Sequence, residues 1–249
     1  MKTLTDYKPQ LGFGLLLVGP PKTGKTSTAF QFPNPYIADC DNNLMGPVRR
    51  FRTIRPDFDC RYDTINIDDD GNMVPAHLRW NRLVQCCKAA AADPWVKTII
   101  VDSLSSINDY LCDWVISQKD SSKDKDKMTI SDWVPFKNLL TKFITTFRSV
   151  PGKFFIMTAH ELIEKDEATG LYIFKPWIQS KLQDNIGGYF SDVWVTLTDE
   201  VAGQIQYLVK ANPDARRQQV GNSLGLPLKP FVFKWPEVEP YMEKGLFKK

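Results

Sequence analysis

One stretch decides the fold of this chain: Gly19-Pro20-Pro21-Lys22-Thr23-Gly24-Lys25-Thr26. It fits the P-loop pattern G-x-x-x-x-G-K-[ST], in which small residues let backbone N–H groups converge on phosphate oxygens. An apolar, strand-like segment from Leu11 to Val18 precedes it, and Ser27-Thr28-Ala29-Phe30 follows as the opening turns of a helix. A working P-loop requires this strand–loop–helix order. The stretch therefore predicts a nucleoside triphosphate site, and a chance glycine-rich turn is the weaker interpretation.

The residue types within the loop indicate what each would bind. The Lys25 ammonium would reach the β- and γ-phosphates, and the Thr26 hydroxyl would bind Mg²⁺. Backbone N–H groups and the positive end of the helix dipole would hold further phosphate oxygens. The predicted nucleotide-binding residues are Gly19, Pro20, Pro21, Lys22, Thr23, Gly24, Lys25, Thr26 and Ser27. The predicted ligands are ATP and Mg²⁺.

Composition limits the class of protein. A length of 249 residues suits one α/β domain with a sizeable core. The formal net charge of +3 is mild, so any contact with nucleic acid must come from local clusters. Five cysteines without a C-x-x-C pair, beside only two histidines, predict reduced thiols rather than a metal site. No apolar run approaches the about 20 residues of a membrane span, so we expect a cytoplasmic protein.

A second strand is predicted at Tyr36-Ile37-Ala38-Asp39-Cys40-Asp41, after the chain-breaking Pro33-Asn34-Pro35. Asp39 and Asp41 stand two residues apart, so both side chains would lie on the same face of the strand. One of them could act on a ligand at the end of the sheet. A solvated strand end, or the N-cap of a following turn, remains an equal alternative.

Two further apolar runs end in polar residues. Val96 to Val101 is rich in β-branched residues, as a strand buried on both faces should be, and Asp102 follows it. Ligands bind at the carboxyl edge of such sheets, so Asp102 would hold Mg²⁺ through water rather than cap a helix. Lys153 to Thr158 predicts another central strand, with His160 just beyond it. His160 is placed to contact a γ-phosphate, with a structural histidine as the alternative.

Periodicity and punctuation predict the remaining elements. Helices are expected from Ala76 to Ala92, after Ser103, and after a Ser131 cap, with strands from Val193 to Leu197 and from Gln204 to Lys210. A mobile charged loop is expected from Lys119 to Lys127, a loop from Leu162 to Gly188, and a tail from Leu226 that packs on the core or on a neighbouring subunit. The domain prediction is an ATPase core over residues 1–225 and this tail over 226–249.

The segment between Arg49 and Arg61 is basic and is predicted to be irregular. Its five arginines surround Phe51 and Phe58. Arginines with interleaved aromatic rings can grip phosphates and stack bases of single-stranded nucleic acid. A solvated face or a subunit contact is at least as good an interpretation.

Taken together, the P-loop, Ile99-Ile100-Val101-Asp102-Ser103 and Thr158-Ala159-His160-Glu161 resemble a known family. From about Leu11 to Lys210 the chain looks like the RecA-type P-loop ATPases, in the short core-only form encoded by bacteriophages. Within that form it is similar to Sak-type single-strand annealing or recombination proteins and to phage nucleotide-binding ATPases. The resemblance implies a single-domain α/β fold, with helices flanking a mostly parallel central sheet.

The resemblance also implies roles for individual residues. The strand before His160 should lie between the P-loop strand and the Asp102 strand, so that His160 approaches the γ-phosphate where RecA has a Gln. The general base of the family is a Glu at the end of the second strand, and Asp41, one methylene shorter, stands at that position here. Lysines of a late strand serve the neighbouring subunit's nucleotide in RecA-like filaments, and Lys210 is the nearest match. The predicted catalytic residues are Lys25, Asp41, His160 and Lys210, and the metal ligands are Thr26 and Asp102.

The function implied by the resemblance is a DNA-dependent ATPase of phage recombination or replication, acting on single-stranded DNA by annealing or strand exchange. A homo-oligomer, ring or filament, is expected, with a single-strand-binding protein as a candidate partner. One alternative keeps the fold and makes the chain a hexameric helicase or loader motor. Another is a nucleotide-gated binding protein with negligible turnover, which Asp41 in place of Glu favours.

Overall fold

The computed structural model describes residues 12–119, 127–179 and 181–246. This part of the chain contains nine strands: β1 (Phe13–Val18), β2 (Pro35–Asp39), β3 (Arg61–Thr64), β4 (Thr98–Asp102), β5 (Phe154–Ala159), β6 (Glu161–Lys165), β7 (Tyr172–Pro176), β8 (Asp192–Val201) and β9 (Gln204–Lys210). Its α-helices are α1 (Lys25–Ala29), α2 (Met45–Ile54), α3 (Ala76–Ala92), α4 (Leu104–Ser117), α5 (Trp133–Arg148) and α6 (Trp235–Leu246).

A seven-stranded sheet in the order β3-β2-β4-β5-β1-β8-β9 forms the centre of the molecule. All neighbours in it run parallel except β8 and β9, which form an antiparallel hairpin. The predicted α/β architecture, a mostly parallel central sheet flanked by helices, is confirmed. The strand before His160 does lie between the P-loop strand and the Asp102 strand. Strands β4, β5 and β1 therefore end at the same edge of the sheet.

The core lies on both faces of this sheet, which explains why its central strands are apolar throughout. Every residue of β1 and β5 is buried. Successive residues face opposite layers, so Leu16 packs beneath the layer of α3, α4 and α5. Leu15 and Leu17 pack in the opposite layer, which includes α1, α2 and the C-terminal segment. In that layer Phe233 stacks on Phe32, with ring centroids 5.5 Å apart.

The prediction of a loop from Leu162 to Gly188 is wrong, because this stretch begins with a hairpin. Strands β6 and β7 pair antiparallel, with Ile163 opposite Phe174. A turn closes the hairpin, in which the Gly170 N–H donates to the Asp166 carbonyl at 2.7 Å and Gly170 has φ 71°. Only a residue without a side chain adopts that φ at little cost.

Two local predictions need correction. Ser131 is not the cap of α5, because a 3₁₀ turn, Ile130–Asp132, precedes that helix and Thr129 and Asp132 form a reciprocal capping box around it. The segment from Arg49 to Arg61 is irregular only over residues 55–60, since α2 runs from Met45 to Ile54 and β3 begins at Arg61.

The idea that Phe51 and Phe58 stack bases is also wrong. Their exposed fractions are 6% and 3%, and both rings pack against Phe30 in the core. The aromatic residues interleaved with these arginines therefore hold α2 against the sheet.

Other predicted elements are confirmed, including α3 from Ala76 to Ala92 and β9 from Gln204 to Lys210. The predicted mobile loop falls largely on residues 120–126, which lie outside the described part of the chain. Within the described ranges, no helix combines the length and apolarity needed to cross a membrane.

Candidate nucleotide site

A cavity of about 400 Å³ opens at the carboxyl edge of the sheet, above the ends of β1, β4 and β5. It is lined by Pro21, Lys22, Gly24, Lys25, Thr26, Ser27, Asp41, Asn43, Gly46, Pro47, Arg50, Asp102 and His160. The structure thus brings together most of the predicted loop and three of the predicted residues outside it. Lys210 does not line this cavity.

The shape of the P-loop depends on two glycines. A Cβ on Gly19 would lie 2.5 Å from the Thr196 hydroxyl oxygen, which leaves no room for a side chain. Gly24 has φ 88° and forms the N-cap of α1. Between them Lys22 also adopts a positive φ of 66°, and the Thr23 hydroxyl donates to the Pro20 carbonyl at 2.8 Å. Backbone in this conformation turns successive N–H groups toward one centre, as an anion-binding loop requires.

Lys25 is almost fully buried within this loop. Its Nζ lies 2.9 Å from the Gly19 carbonyl oxygen and 2.8 Å from that of Pro20. Burial lowers the pKa of Lys25, while the charges of Asp102 and Asp41 act in the opposite direction. The two carboxylates partly offset the effect of burial, and the Lys25 Nζ lies within the loop with two carbonyl oxygens as acceptors.

The residues predicted to bind Mg²⁺ are in direct contact. The Thr26 hydroxyl donates to Asp102 Oδ2 at 2.7 Å, and the Thr158 hydroxyl donates to Asp102 Oδ1. Burial raises the pKa of Asp102, and these two hydrogen bonds counteract that shift. Hydroxyl and carboxylate oxygens are ligands that Mg²⁺ prefers. Among the described residues no group of three His, Cys, Asp or Glu could hold a metal. Thr26 and Asp102 supply two such oxygens at the edge of the cavity.

The two aspartates near the end of β2 have different environments. Asp39 is buried and accepts backbone N–H groups of Asp41, Asn43 and Leu44 at 3.1–3.2 Å, so it stabilises the turn that follows the strand. Asp41 lies beyond the strand and lines the cavity. The hydroxyls of Ser103 and Ser106, at the start of α4, donate to Asp41 Oδ1.

His160 lines the cavity from the end of β5. Its Nδ1 is buried and has no hydrogen-bond partner within the described residues. Burial lowers its pKa and the Lys25 charge lowers it further, so the ring is neutral at pH 7. The His160 carbonyl accepts the Trp177 N–H at 2.8 Å, which links it to the segment just after β7.

Lys210 and Glu161 each form an ion pair within this chain. Lys210, at the end of β9, forms an ion pair with Asp214. Glu161 is held by Arg217, with Nε 2.8 Å from Oε1 and Nη2 3.2 Å from Oε2.

Several residues in and beside the cavity are not predicted by the sequence motifs. Asn43, Gly46, Pro47 and Arg50 belong to α2 or the turn before it, and Tyr207 approaches Gly24 from β9. The sequence pattern places Arg50 only in a basic stretch. Residues 46, 47 and 50 would share one face of a helix, and this spacing could have indicated that they line the site together. The motifs do not predict a helix here, so the spacing gives no prediction.

These features define a P-loop nucleoside triphosphatase domain of the ATPase type. The chain belongs to the AAA domain family, whose profile matches residues 12–217. No curated protein sequence matches it.

Two solved structures are similar. A KaiC-like protein from the hyperthermophilic archaeon Pyrococcus horikoshii OT3 has a TM-score of 0.43 and 14% identity, over 80% of this chain and 79% of that one. The flagellar accessory protein FlaH from Methanocaldococcus jannaschii has a TM-score of 0.35 and 11% identity, over 90% of each chain.

Proposed function

We propose that this chain is a Mg²⁺-dependent ATPase that single-stranded DNA stimulates. One observation carries the hydrolytic part: a single cavity holds a phosphate-binding lysine, a hydroxyl–carboxylate pair for a metal, a further carboxylate and a neutral histidine. These are Lys25, Thr26 with Asp102, Asp41 and His160. Phosphoryl transfer depends almost entirely on positioning and electrostatic stabilisation, and these groups supply both. A role in phage recombination or replication rests on the resemblance of the sequence motifs.

Nucleotide binding would use the P-loop in the backbone conformation described above. Backbone N–H groups from residue 22 to residue 26 would hold phosphate oxygens, and Lys25 would exchange the carbonyls of Gly19 and Pro20 for the β- and γ-phosphates. Thr26 and Asp102 would hold Mg²⁺, which when bound neutralises charge on the transferred phosphoryl group.

Asp41 is the residue we assign to water activation. Its carboxylate lines the cavity, and the Ser103 and Ser106 hydroxyls hold one of its oxygens in place. A carboxylate fixed in this way can accept a proton from a water molecule aligned with the γ-phosphate. Asp39 is unsuited to this work, because three backbone N–H groups already occupy its oxygens.

His160 is the residue we assign to sensing the γ-phosphate. A neutral ring with a buried, unpartnered Nδ1 can form a hydrogen bond that changes when the phosphate leaves. Any movement of His160 would pass to Trp177, whose backbone N–H donates to the His160 carbonyl and whose ring centroid lies 6.4 Å away.

The same segment supports the proposal of a single-stranded DNA partner. Trp177 and Tyr172 have exposed fractions of 49% and 56%, and they lie on or beside the β6–β7 hairpin that starts one residue after His160. Exposed aromatic rings stack on bases without reading their sequence. DNA bound here would therefore be in contact with the element that senses the γ-phosphate.

The test is steady-state hydrolysis of ATP with and without single-stranded DNA, with a metal chelator in a parallel reaction. We expect turnover that requires Mg²⁺ and rises at least severalfold with single-stranded DNA but less with a duplex of the same length. Trp177→Ala should remove most of the stimulation and leave the basal rate, whereas the equally aromatic Tyr62, exposed on β3, serves as the matched control when changed to Ala. Absence of any hydrolysis would refute the enzyme proposal. Hydrolysis that DNA leaves unchanged would refute only the DNA part.

A nucleotide-gated binding protein with negligible turnover is the second candidate. It is favoured by one observation, that Asp41 is one methylene shorter than the Glu of the resembled family. Tight binding of ATP, with no more than one phosphate released per chain over hours, would support this candidate.

A further inference from the structure

Arg50 is a cation of the cavity whose role the P-loop pattern does not predict. It lies on α2, and Gly46 and Pro47 line the cavity from the same helix. Residues four and three positions apart share one face of a helix, so this face of α2 forms a wall of the site. The opposite side buries Val48 and Phe51 in the core. Packing of these two residues therefore turns the face that carries Arg50 away from the core.

A second contact holds Arg50 from strand β9. The Arg50 guanidinium carbon lies 4.1 Å from the centre of the Tyr207 ring, and an Arg50 nitrogen also contacts the Tyr207 hydroxyl. Such stacking is favourable for arginine because its planar group matches the face of the ring.

Tyr207 is presented by a part of the β8–β9 hairpin that extends past the parallel sheet. Strand β1 pairs with β8 only as far as Val195, while the hairpin continues to Val201 opposite Gln204. Tyr207 lies opposite Thr198 in this extension. Its Cδ1 is 3.0 Å from the position that a Cβ on Gly24 would occupy. The ring therefore rests on the P-loop itself, with Arg50 stacked on it.

Arg50 determines the net charge of the side chains that line the cavity. The lining side chains include three cations, Lys22, Lys25 and Arg50, and two carboxylates, Asp41 and Asp102. Without Arg50 the charges of these side chains would balance, so Arg50 supplies their one excess positive charge. A guanidinium also binds phosphate oxygens through two parallel hydrogen bonds, which a lysine cannot do.

We propose that Arg50 is a phosphate-binding residue of this site and that Tyr207 positions it over the P-loop. The inference rests on the proposed nucleotide-binding function and extends it, because it assigns part of the phosphate affinity to α2 and to the β8–β9 hairpin.

The first test measures the dissociation constant of a fluorescent ATP analogue, in the absence of DNA, for wild type, R50A and R50K. Arg49, the preceding residue on the same helix, is exposed and outside the cavity, so R49A is the matched control for loss of one positive charge. We expect R50A to weaken binding by about tenfold or more, as loss of a charged hydrogen bond does. R49A should stay within about twofold of wild type, because an exposed charge outside the site is screened. R50K should recover only part of the loss. Equal effects of R50A and R49A would overturn the assignment.

The second test identifies which part of the nucleotide Arg50 binds. Inorganic tripolyphosphate and adenosine are each titrated as competitors of the same analogue. The R50A loss should appear in the tripolyphosphate affinity and be absent from the adenosine affinity. A loss confined to adenosine would mean that Arg50 contacts the base or the ribose, and the phosphate assignment would be wrong.

The third test concerns Tyr207. Y207F keeps the ring beneath the guanidinium and should bind within about threefold of wild type, whereas Y207A should approach the R50A value because positioning is lost. If Tyr207 acts through Arg50, the double variant R50A/Y207A should bind no more weakly than R50A. Additive losses would show that Tyr207 acts independently, and would overturn its positioning role. Thermal unfolding of each variant establishes that it is folded.

The outcomes separate this inference from the function on which it rests. If wild type binds the analogue and K25A does not, the nucleotide site stands and the R50A result decides the role of Arg50. If wild type fails to bind it, the proposed function fails and the inference fails with it.

Discussion

Asp41→Asn should separate chemistry from binding and from folding. The substitution keeps the shape of the side chain and its acceptor oxygen for the Ser103 and Ser106 hydroxyls, but it removes the charge that accepts a proton. Loss of a general base lowers turnover by about 10² to 10⁴. The lower limit corresponds to about 2.7 kcal/mol in the activation barrier. Affinity for ATP should change much less, because the phosphates bind to the loop.

Asp39 provides the matched control two residues away. Its carboxylate accepts three backbone N–H groups and is buried, so Asp39→Asn replaces a charged acceptor by an amide that must also satisfy its own NH₂ group. Loss of such hydrogen bonds costs about 1–3 kcal/mol of the free energy of unfolding. Asp41→Asn should cost little stability, because Asp41 is exposed. Asp41→Asn should thus lose turnover and retain its stability, whereas Asp39→Asn should lose stability.

The assays are single-turnover hydrolysis of ATP, equilibrium binding of a fluorescent ATP analogue, and urea unfolding monitored by tryptophan fluorescence. Asp41→Glu is informative as well, since it restores the longer acid found in the resembled family. Wild-type turnover in Asp41→Asn would refute the reasoning and move the search for the base to another group at the carboxyl edge. A loss of stability in Asp41→Asn as large as in Asp39→Asn would show that Asp41 is structural.

Three further outcomes are expected. Lys25→Ala removes the cation at the centre of the loop, so ATP hydrolysis should fall to background while circular dichroism remains that of a folded protein; hydrolysis near the wild-type rate would mean that the site lies elsewhere. His160→Ala should weaken the ATP-stimulated part of single-stranded DNA binding more than the basal part, measured by fluorescence anisotropy, and equal losses in both would identify His160 as structural. Lys210→Ala should lower hydrolysis without lowering ATP affinity in dilute solution, and mixing it with Lys25→Ala in the presence of single-stranded DNA should restore part of the activity. To act on a neighbour's nucleotide, Lys210 must leave its ion pair with Asp214, so failure of every mixing ratio would assign it to that pair.

The parts of this site that could be predicted from sequence are those that local patterns specify. The P-loop is a contiguous stretch whose glycines and lysine have one use together, and the runs before Asp102 and His160 are apolar enough to be central strands. Parallel strands end at a common edge, so residues just beyond them converge without any knowledge of the strand order. This is why Lys25, Thr26, Asp41, Asp102 and His160 could be named from the sequence and are found in one cavity.

The tertiary structure decided what depends on distant contacts. Arg50 and Tyr207 are 157 residues apart in the chain, and they meet only because α2 and the β8–β9 hairpin pack on either side of the P-loop. The different environments of Asp39 and Asp41 likewise depend on where β2 ends and on the serines that α4 brings to the turn. Hydrophobic periodicity determines which face of an element is buried, but it does not determine which element packs against it. Packing therefore determines that Arg50 and Tyr207 join the site, whereas the local sequence determines the P-loop residues.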